Sequence, residues 1–309
     1  MVSVIVITYN PVWHKLKSTL KSILIQEKVL FEIIVADDGS KDNCFEKIKN
    51  YFDEYNFKNY LLLKSSNNQG TCKNSFIAIN KSKYSYIKLI SPGDFFYDKY
   101  TLFNWYQYMI NKDAQICFTK AAYYNQNHGN INILRVMQNP TNVNVYKNGN
   151  LNEQKQSFLL LPDAVLGAAL LVKKNIITKY MDMIVDKVKY CEDYFIKLFL
   201  LNNNSLTYYD KVGIWYEYGE GISTNIKWRN LVTLDKKACA KIMLLHLQME
   251  DRWNIRWKMI WKYKERYGNL PRWRYMLFPR LIFLKLKKMT NPQWSDTNLD
   301  INLLKSIVE

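Results

Sequence analysis

Carboxylates stand directly beside hydrophobic segments at three places in this sequence. Asp37 and Asp38 come immediately after the apolar run EIIVA, and Asp94 follows the run YIKLI by way of a Ser-Pro-Gly turn. Glu192 and Asp193 stand just before the apolar run YFIKLFL. Carboxylate oxygens are preferred ligands of Mg²⁺ and Mn²⁺, and a carboxylate with a raised pKa acts as a general base near neutral pH. These positions predict a site that uses a cation, a base or both.

Each of these acids also has a purely structural explanation, which the sequence alone leaves open. The dipeptide Asp38-Gly39 is common in turns. Asp94 is a suitable residue to cap a following helix. An acid pair at residues 192 and 193 would be stabilised by the positive end of a helix that it opens.

The first 120 residues alternate between strand and helix patterns. Val2–Thr8 is a nearly continuous apolar and β-branched run, which predicts a strand covered on both faces. Further strands are predicted at 32–36, 60–63 and 86–90, and helices at 14–26, 41–55 and 70–81. This rhythm predicts an α/β fold with a mostly parallel central sheet and helices on both of its faces.

Polar turns follow all four of these predicted strands. In chain order they are Thr8-Tyr9-Asn10, Asp37-Asp38-Gly39-Ser40, Asn67-Asn68-Gln69-Gly70 and Ser91-Pro92-Gly93-Asp94. Ligands of open α/β sheets bind beyond the carboxyl ends of the strands. We therefore expect the four turns to converge on one edge of the sheet and to form the binding site there.

The regular rhythm ends near residue 113. The patterns that follow predict a strand over 115–124, a hairpin within 131–145, a polar loop over 139–152, a small-residue apolar run over 166–172, a helix over 187–201 and an aromatic strand over 215–224 that leads into a Gly-bearing loop. The predicted helix over 187–201 has Cys191, Glu192 and Asp193 near its start.

The order and spacing of five motifs resemble the GT-A glycosyltransferases, in particular the inverting family 2. The motifs are SVIVITYN, EIIVADDGSKD, NNQG followed by KN, SPGDFFYD and CEDYF. The resemblance implies a Rossmann-like GT-A catalytic domain over residues 1–225, with a nucleotide-binding half (1–112) and an acceptor-binding half (113–225). Residues 226–309 would then form a basic, tryptophan-rich helical extension at the C-terminus.

The resemblance implies a set of residues that clasp the nucleotide of a sugar donor. Carried onto this sequence, the set is Thr8, Tyr9, Asn10, Asp37, Asp38, Ser40, Asn68, Gly70 and Lys73. Relatives often carry Arg near the last position. A lysine there offers a point charge to phosphate but lacks the bidentate fork of arginine.

The resemblance also implies a metal ligand and a catalytic base. The family usually has an acidic cluster after the fourth strand, and its last acid holds Mn²⁺ or Mg²⁺ on the diphosphate. Here Asp94 occupies that last position, while Ser91, Pro92 and Gly93 stand where the earlier positions would be. Asp193 corresponds to the base that takes the acceptor's proton, with Glu192 as its positioning partner.

The sugar-binding and loop residues are implied in the same way. Gly93, Gly167 and Ala168 match positions that line the sugar or acceptor, although a small-residue run is equally explained by close packing inside a strand. Gly221 and Ser223 match a loop that closes over the donor.

The charge of the chain is strongly positive and concentrated near its end. The sequence has 44 Lys and Arg against 27 Asp and Glu, a net charge of +17. Between Arg252 and Lys288 there are twelve basic residues and one acid, and Trp253, Trp257 and Trp261 are spaced to share one helix face. The segment suits either a solvated helical pair that packs its tryptophans on the domain or an interfacial contact with anionic lipid. Nucleic acid is a less favoured partner, since no nucleic-acid module is recognisable.

Cysteine and histidine usage excludes several classes of site. The five Cys have no C-x-x-C spacing, and the three His have no ligand-like spacing, which argues against a disulfide framework, a zinc site or a Ser-His-Asp triad. The sequence shows no apolar stretch of about 18 residues and no signal-peptide pattern. We therefore expect a cytoplasmic protein, with peripheral contact at the inner face of the membrane.

The sequence thus predicts an inverting, metal-dependent glycosyltransferase with a nucleotide-sugar donor, UDP-linked by preference. The acceptor would be a hydroxyl of a bacterial surface glycan or of a lipid-linked saccharide. Two alternatives stay open. One is a nucleotidyltransferase, although Tyr9-Asn10-Pro11 is not the Gly-rich loop such enzymes carry after the first strand. The other is a catalytically degenerate binding module that acts through its basic tail.

Overall fold

The computed structural model describes residues 1–42, 44–127, 130–137, 140, 143–161, 163–219, 221, 226–266, 274–277, 279 and 299–308. The first part alternates strands and helices: β1 (Val2–Thr8), α1 (Trp13–Leu24), β2 (Phe31–Asp37), α2 (Phe45–Glu54), β3 (Tyr60–Lys64), α3 (Thr71–Lys81) and β4 (Tyr86–Ile90). The four strands pair in parallel in the order β3-β2-β1-β4. The prediction of a parallel sheet is confirmed.

Helices cover both faces of this sheet because the apolar side chains of β1 alternate between two cores. Ile5 and Ile7 point into a core shared with α3, whereas Val4 and Val6 point into a core shared with α1 and α2. All seven residues of β1 are buried, as are all seven of β2. Burial on both faces explains why these strands lack polar alternation.

The second part of the chain extends the same sheet. Its elements are β5 (Phe95–Phe96), α4 (Thr101–Asn111), β6 (Ile116–Asn127), β7 (Asn130–Met137), α5 (Asn144–Lys147), α6 (Leu151–Lys155), β8 (Leu170–Lys173), α7 (Lys174–Asp182), α8 (Phe195–Leu201) and β9 (Thr207–Glu217). Among the described residues, the sheet has nine strands in the order β3-β2-β1-β4-β8-β6-β9-β5, with β7 paired to β6. β8 runs antiparallel to both β4 and β6 and so joins the two parts.

Two of the predicted elements in this part are wrong. The hairpin forms between β6 and β7, which pair antiparallel, and not within 131–145, where α5 begins at Asn144. The helix expected over 187–201 begins only at Phe195, after a short 3₁₀ turn at Glu192–Tyr194. The residues of its expected first turn are irregular, and the backbone N–H groups of 189–191 bind a carboxylate of a later helix.

The C-terminal part is helical and packs on the sheet domain. It contains α9 (Arg229–Leu245), α10 (Trp253–Arg266), α11 (Arg274–Leu277) and α12 (Ile301–Val308). Ile255, Met259 and Tyr263 of α10 are buried in the core that also contains Ile5 and Ile7 of β1. α12 packs Leu304 and Ile307 against Phe95 and Trp215 at the other end of the sheet.

Trp253 and Trp257 of α10 lie on its exposed face, whereas Trp261 is half-buried and its indole Nε1 is buried. Trp253 and Trp257 are 71% and 47% exposed, and their rings stack at 6.4 Å. The expectation that a packed tail would bury these tryptophans is wrong for both residues. In the part of the chain that the structure describes, no helix has the length and apolar character needed to cross a membrane.

A buried ion pair ties the C-terminal part to the sheet domain. Lys155 Nζ lies 2.5 Å from Glu250 Oε2, and both side chains are fully buried. Lys155 also donates to Asn203 Oδ1 and to the Leu201 carbonyl oxygen, so its ammonium group keeps several oxygen partners. Removal of either charge would leave the other buried without its counter-charge.

We predict that Glu250→Ala lowers the free energy of unfolding by roughly 3–5 kcal/mol, because the Lys155 ammonium group loses its buried counter-charge. Urea unfolding of the full chain measures the change. Asp53→Asn is the control, since Asp53 pairs with Lys58 on the solvent-exposed surface and its loss should change little. Equal effects of the two substitutions would contradict the assignment.

Candidate active site

The turns after β1 and β2 are joined through Ser40, which the Asp37 carboxylate holds in place. Asp37 Oδ1 accepts from the Ser40 backbone N–H at 3.0 Å and from the Ser40 hydroxyl at 2.5 Å. Ser40 Oγ in turn accepts from the Asn10 backbone N–H at 2.6 Å, and Asn10 Oδ1 accepts from the Lys41 N–H at 3.0 Å. The first two predicted turns therefore form one connected wall.

Three buried oxygens at these turns lack a hydrogen-bond partner among the described residues. They are Thr8 Oγ1, Asp37 Oδ2 and Asn68 Oδ1. A buried polar atom without a partner costs on the order of 1–3 kcal/mol, so such atoms are rare unless a ligand uses them. Tyr9, next to them in the chain, is 44% exposed and free to contact a bound molecule.

Asp38 holds the third turn in place. Its two carboxylate oxygens accept from the backbone N–H groups of Gln69 and Gly70, both at 2.8 Å. Burial raises the pKa of the Asp38 carboxyl above its usual value, against the opposing effect of these hydrogen bonds and of Lys189. The carboxylate thus fixes the turn that carries Asn68. Lys73, one turn into α3, has an exposed side chain.

Gly70 allows a close approach between the third turn and a later segment of the chain. Its φ is +93°, and an added Cβ would lie 2.5 Å from the Lys189 carbonyl oxygen. That carbonyl oxygen also accepts from the Cys72 backbone N–H at 3.0 Å. The third turn is therefore packed directly on the residues that precede Glu192.

Asp94 is buried beyond the end of β4 and does not cap a helix. Its Oδ1 accepts from the Glu217 backbone N–H at 3.3 Å, and a two-residue strand, β5, follows it. The following helix α4 begins at Thr101, where Asp98 accepts from the Tyr100 N–H and the Thr101 hydroxyl. The capping explanation for Asp94 is wrong.

The turn that carries Asp94 is fixed on several sides. The Gly93 N–H donates to Thr19 Oγ1 at 3.0 Å, and the Thr19 hydroxyl donates to the Asp94 carbonyl oxygen at 3.0 Å. Tyr124 donates its hydroxyl to the Gly93 carbonyl oxygen. Gly93 has a φ of +100°, and an added Cβ would collide with the carboxylate of Glu217.

Glu217 is a buried acid at this site that sequence reasoning missed. It ends β9, beside the Asp94 turn, and its Oε1 lies 2.6 Å from Lys15 Nζ. Burial raises the pKa of Asp94 to about 7, and the neighbouring charge of Glu217 adds to the shift. The available signal in the sequence was an acid at the end of the aromatic run IWYE. The pairing of β9 with β5, which the sequence does not reveal, brings this acid next to Asp94.

The donor atoms around Asp94 fit a divalent cation. The Asp94 carboxylate offers hard oxygen donors. Burial disfavours its charged form, and a bound cation would favour that form again. Glu217 supplies a second carboxylate nearby, partly engaged by Lys15. Within the described residues, no group of three or more His, Cys, Asp or Glu side chains is placed to hold a metal. A cation here would depend on oxygens supplied by its ligand and by water.

Glu192 and Asp193 border a pocket at the ends of β1 and β4. Other residues that line it are Ile7, Ile90, Ser91, Gly167 and Ala168. An added Cβ at Gly167 would lie 3.7 Å from Asp193 Cβ and 3.8 Å from Glu192 Oε1. The structure thus brings Gly167 and Ala168 to the acid pair, as the sequence predicted for an acceptor site.

The acid pair has properties that suit proton transfer. Burial raises the pKa of Glu192, and the adjacent charge of Asp193 adds to this shift. Burial also raises the pKa of Asp193, while Lys197 and Lys236 oppose the effect. Tyr194 is the N-cap of α8 and makes no side-chain capping bond. Because the helix begins at Phe195, the acid pair precedes it and is not part of its first turn.

A buried lysine supports the other wall of this cavity. Lys88, in the middle of β4, is fully buried and donates to the carbonyl oxygens of Leu89 and Ala168. Burial lowers the pKa of Lys88 to about 7. Sequence reasoning missed this role, although a lysine inside a continuous apolar strand was the available signal.

Of the two predicted loop residues, Gly221 lies beyond β9, and Ser223 lies outside the described residues.

Residues 3–176, more than half of the chain, match the family described as Glycosyl transferase family 2. The chain belongs to this glycosyltransferase family. The predicted GT-A fold and enzyme class are therefore confirmed. No functionally curated protein matches the sequence significantly.

Solved structures of S. aureus TarS share the fold at low sequence identity. Residues 1–349 of TarS in complex with UDP match with a TM-score of 0.56 and 17% identity, over 88% of this chain and 72% of that one. The complex with UDP-GlcNAc gives a TM-score of 0.53 and 17% identity, over 94% and 88%. A further TarS structure gives 0.52 and 15% identity, and this chain covers 54% of its length.

We predict that Gly70→Ala destabilises the protein by roughly 1–3 kcal/mol, because the new Cβ requires a strained backbone and collides with Lys189. Gly149→Ala is the control: its φ is +65°, and nothing lies within 4 Å of the added Cβ. Urea unfolding measures stability, and hydrogen exchange measures protection of the amides at 189–191. Equal losses in both variants, with unchanged exchange at 189–191, would contradict the close approach.

Proposed function

We propose that this protein is an inverting, metal-dependent glycosyltransferase that moves a sugar from a UDP-linked donor to a hydroxyl group. The observation that supports this most strongly is the position of the Glu192–Asp193 pair. It borders a cavity at the carboxyl ends of β1 and β4, one side of which continues into the turn that carries Asp94. A base, a nucleotide site and a cation site would then share one edge of the sheet.

In the proposed reaction Asp193 is the general base. Its carboxylate takes the proton of the acceptor hydroxyl as the oxygen attacks the anomeric carbon, and the bond from that carbon to the diphosphate oxygen breaks. A single displacement inverts the configuration. Glu192 positions the acceptor, and the raised pKa of the pair lets it hold the proton near neutral pH. Gly93, Gly167 and Ala168 leave room for the sugar or the acceptor.

The proposed nucleotide site is the wall formed by the first three turns. The partnerless oxygens of Thr8, Asp37 and Asn68 would accept hydrogen bonds from the base and ribose. Tyr9, Asn10, Ser40 and Gly70 shape the wall, Asp38 holds the third turn, and Lys73 supplies positive charge at its exposed side. The TarS complexes contain UDP and UDP-GlcNAc, which favours UDP here. Gly221 and Ser223 would belong to a loop over the donor.

The proposed cation is Mn²⁺ or Mg²⁺, held by Asp94 with Glu217 beside it. When bound, it would neutralise charge on the departing diphosphate. This chain's contribution is the buried, rigidly held carboxylate of Asp94, fixed by Thr19 and Tyr124 through the backbone of its turn.

We further propose a saccharide or lipid-linked saccharide as acceptor, at the inner face of a bacterial membrane. The net charge of +17 and the exposed, stacked Trp253 and Trp257 support a peripheral contact with anionic lipid. In this arrangement residues 1–112 bind the nucleotide, residues 113–225 bind the acceptor, and residues 226–309 form the extension that meets the membrane. Nucleic acid is not proposed as a partner.

We predict that Asp193→Asn reduces UDP release from a UDP-sugar by about 100-fold or more, because the amide cannot take the proton. Calorimetry should show UDP binding nearly unchanged. UDP-GlcNAc, UDP-glucose and UDP-galactose serve as donors, with water or added saccharides as acceptors. Asp186→Asn is the control, since this exposed acid lies outside the cavity.

The pH profile gives a second readout of the same role. The base must be deprotonated, and its raised pKa means that the wild-type rate should still be rising with pH above the ordinary carboxyl range of about 4. Full activity of Asp193→Asn would remove Asp193 from the mechanism. Absence of UDP release by the wild-type protein itself, with every donor, would instead favour a binding module without catalysis.

A further inference from the structure

A buried carboxylate on a helix of the C-terminal part binds the backbone that directly precedes the acid pair. Asp235, in α9, accepts hydrogen bonds from three consecutive backbone N–H groups: those of Lys189 at 3.1 Å, Tyr190 at 2.5 Å and Cys191 at 3.0 Å. The Asp235 side chain is buried. These amides belong to the irregular segment that directly precedes Glu192 and Asp193.

The segment at residues 189–191 links the two sides of the site. On one side, the Lys189 carbonyl oxygen accepts from the Cys72 N–H, and Lys189 packs on Gly70. On the other side, the chain continues into the 3₁₀ turn that carries the acid pair. The position of this segment therefore sets the distance between the third turn and the proposed base.

Only a carboxylate satisfies all three amides at once. Two oxygens offer about four lone-pair positions, and here Oδ1 takes one N–H while Oδ2 takes two. An asparagine in the same place would present one oxygen, and its NH₂ group would face at least one backbone donor. The amides of 189–191 would then lose hydrogen-bond acceptors. This loss would favour conversion of the segment to the helix that the sequence pattern predicts over 187–201.

The charge of Asp235 also acts on the acid pair. It raises the pKa of Glu192, together with burial and the charge of Asp193. Lys197 of α8 and Lys236 of α9 act on Asp193 in the opposite direction. Removal of the charge at 235 should therefore lower the pKa of Glu192 without touching its carboxylate.

We propose that Asp235 is a positioning residue for sugar transfer: it clamps residues 189–191 so that the Glu192–Asp193 pair faces the nucleotide turns. The C-terminal part is then required for the geometry of the site, whatever else it binds. The kinetic test of this inference rests on the proposed transferase function. The structural test, hydrogen exchange, rests only on the backbone contacts of Asp235.

The test compares wild-type full-length protein with Asp235→Asn and Asp235→Glu. For Asp235→Asn we expect kcat for UDP release to fall by about 10- to 100-fold, since a displacement of about 1 Å has that effect. KM for the UDP-sugar and UDP affinity should change by less than about threefold, as the turns after β1 and β2 are untouched and the third turn keeps its two hydrogen bonds to Asp38. An inflection of the pH–rate profile that reports Glu192 should move to lower pH.

Asp235→Glu separates charge from geometry. It keeps the negative charge but moves the oxygens by one methylene, so kcat should fall while the inflection that reports Glu192 stays at the wild-type pH. Asp251→Asn is the matched control: Asp251 is an exposed acid of the same C-terminal part, bonded only to Asn203 among the contacts described for it. It should leave kcat and the pH profile unchanged.

Hydrogen exchange at 189–193 provides a readout that does not need turnover. In Asp235→Asn the amides of 189–193 should exchange faster than in the wild type, while the exchange rates in β1 and β2 should stay the same. If wild-type protein releases no UDP, the proposed function fails, and exchange alone still decides the positioning. Unchanged kcat, pH–rate profile and exchange in Asp235→Asn would overturn the proposal. So would loss of folding or of UDP binding in both variants, which would assign Asp235 to stability alone.

Discussion

The site depends on buried carboxylates that accept hydrogen bonds from the backbone of irregular segments. Asp37 binds the turn at Ser40, Asp38 binds the turn at Gln69 and Gly70, and Asp235 binds residues 189–191. Parallel strands that end at one edge leave their turns without sheet partners, and buried N–H groups must find acceptors elsewhere. Here acidic side chains supply those acceptors, which places negative charge where a nucleotide and a cation are expected to bind.

Burial also raises the pKa values of the acids that the proposed chemistry uses. The pKa values of Glu192, Asp193 and Asp94 are raised, with burial as the largest cause in each. A buried carboxylate with a raised pKa is suited to exchange a proton or to gain a cation. The same residue type thus serves two purposes at this edge: some acids hold backbone turns in place, and others are available for a proton or a cation.

Much of the fold was predictable from local pattern, since β1 to β4 are continuous apolar runs and their turns carry the motifs of the family. The remainder required tertiary information. The helix pattern over 187–201 corresponds to α8, but the helix begins only at Phe195. The amides of 189–191, in its expected first turn, instead donate to Asp235, more than forty residues away. Glu217 and Lys88 are significant only because β9 pairs with β5 and β4 lies beside the Ala168 turn. The tryptophan spacing of α10 was recognisable, but the sequence did not tell which face would pack.

The central claim is that the first three turns form a site for a uridine diphosphate with a cation at Asp94. Calorimetric titration of wild-type protein with UDP, GDP, CDP and dTDP, each with and without Mn²⁺, tests this most directly. The account predicts that UDP binds most tightly, that Mn²⁺ strengthens its binding by about tenfold or more, worth roughly 1.4 kcal/mol, and that Asp94→Asn removes the gain from Mn²⁺ but not the binding itself. Absence of binding by every nucleotide, or equal binding of UDP by wild type and Asp37→Ala, would contradict it.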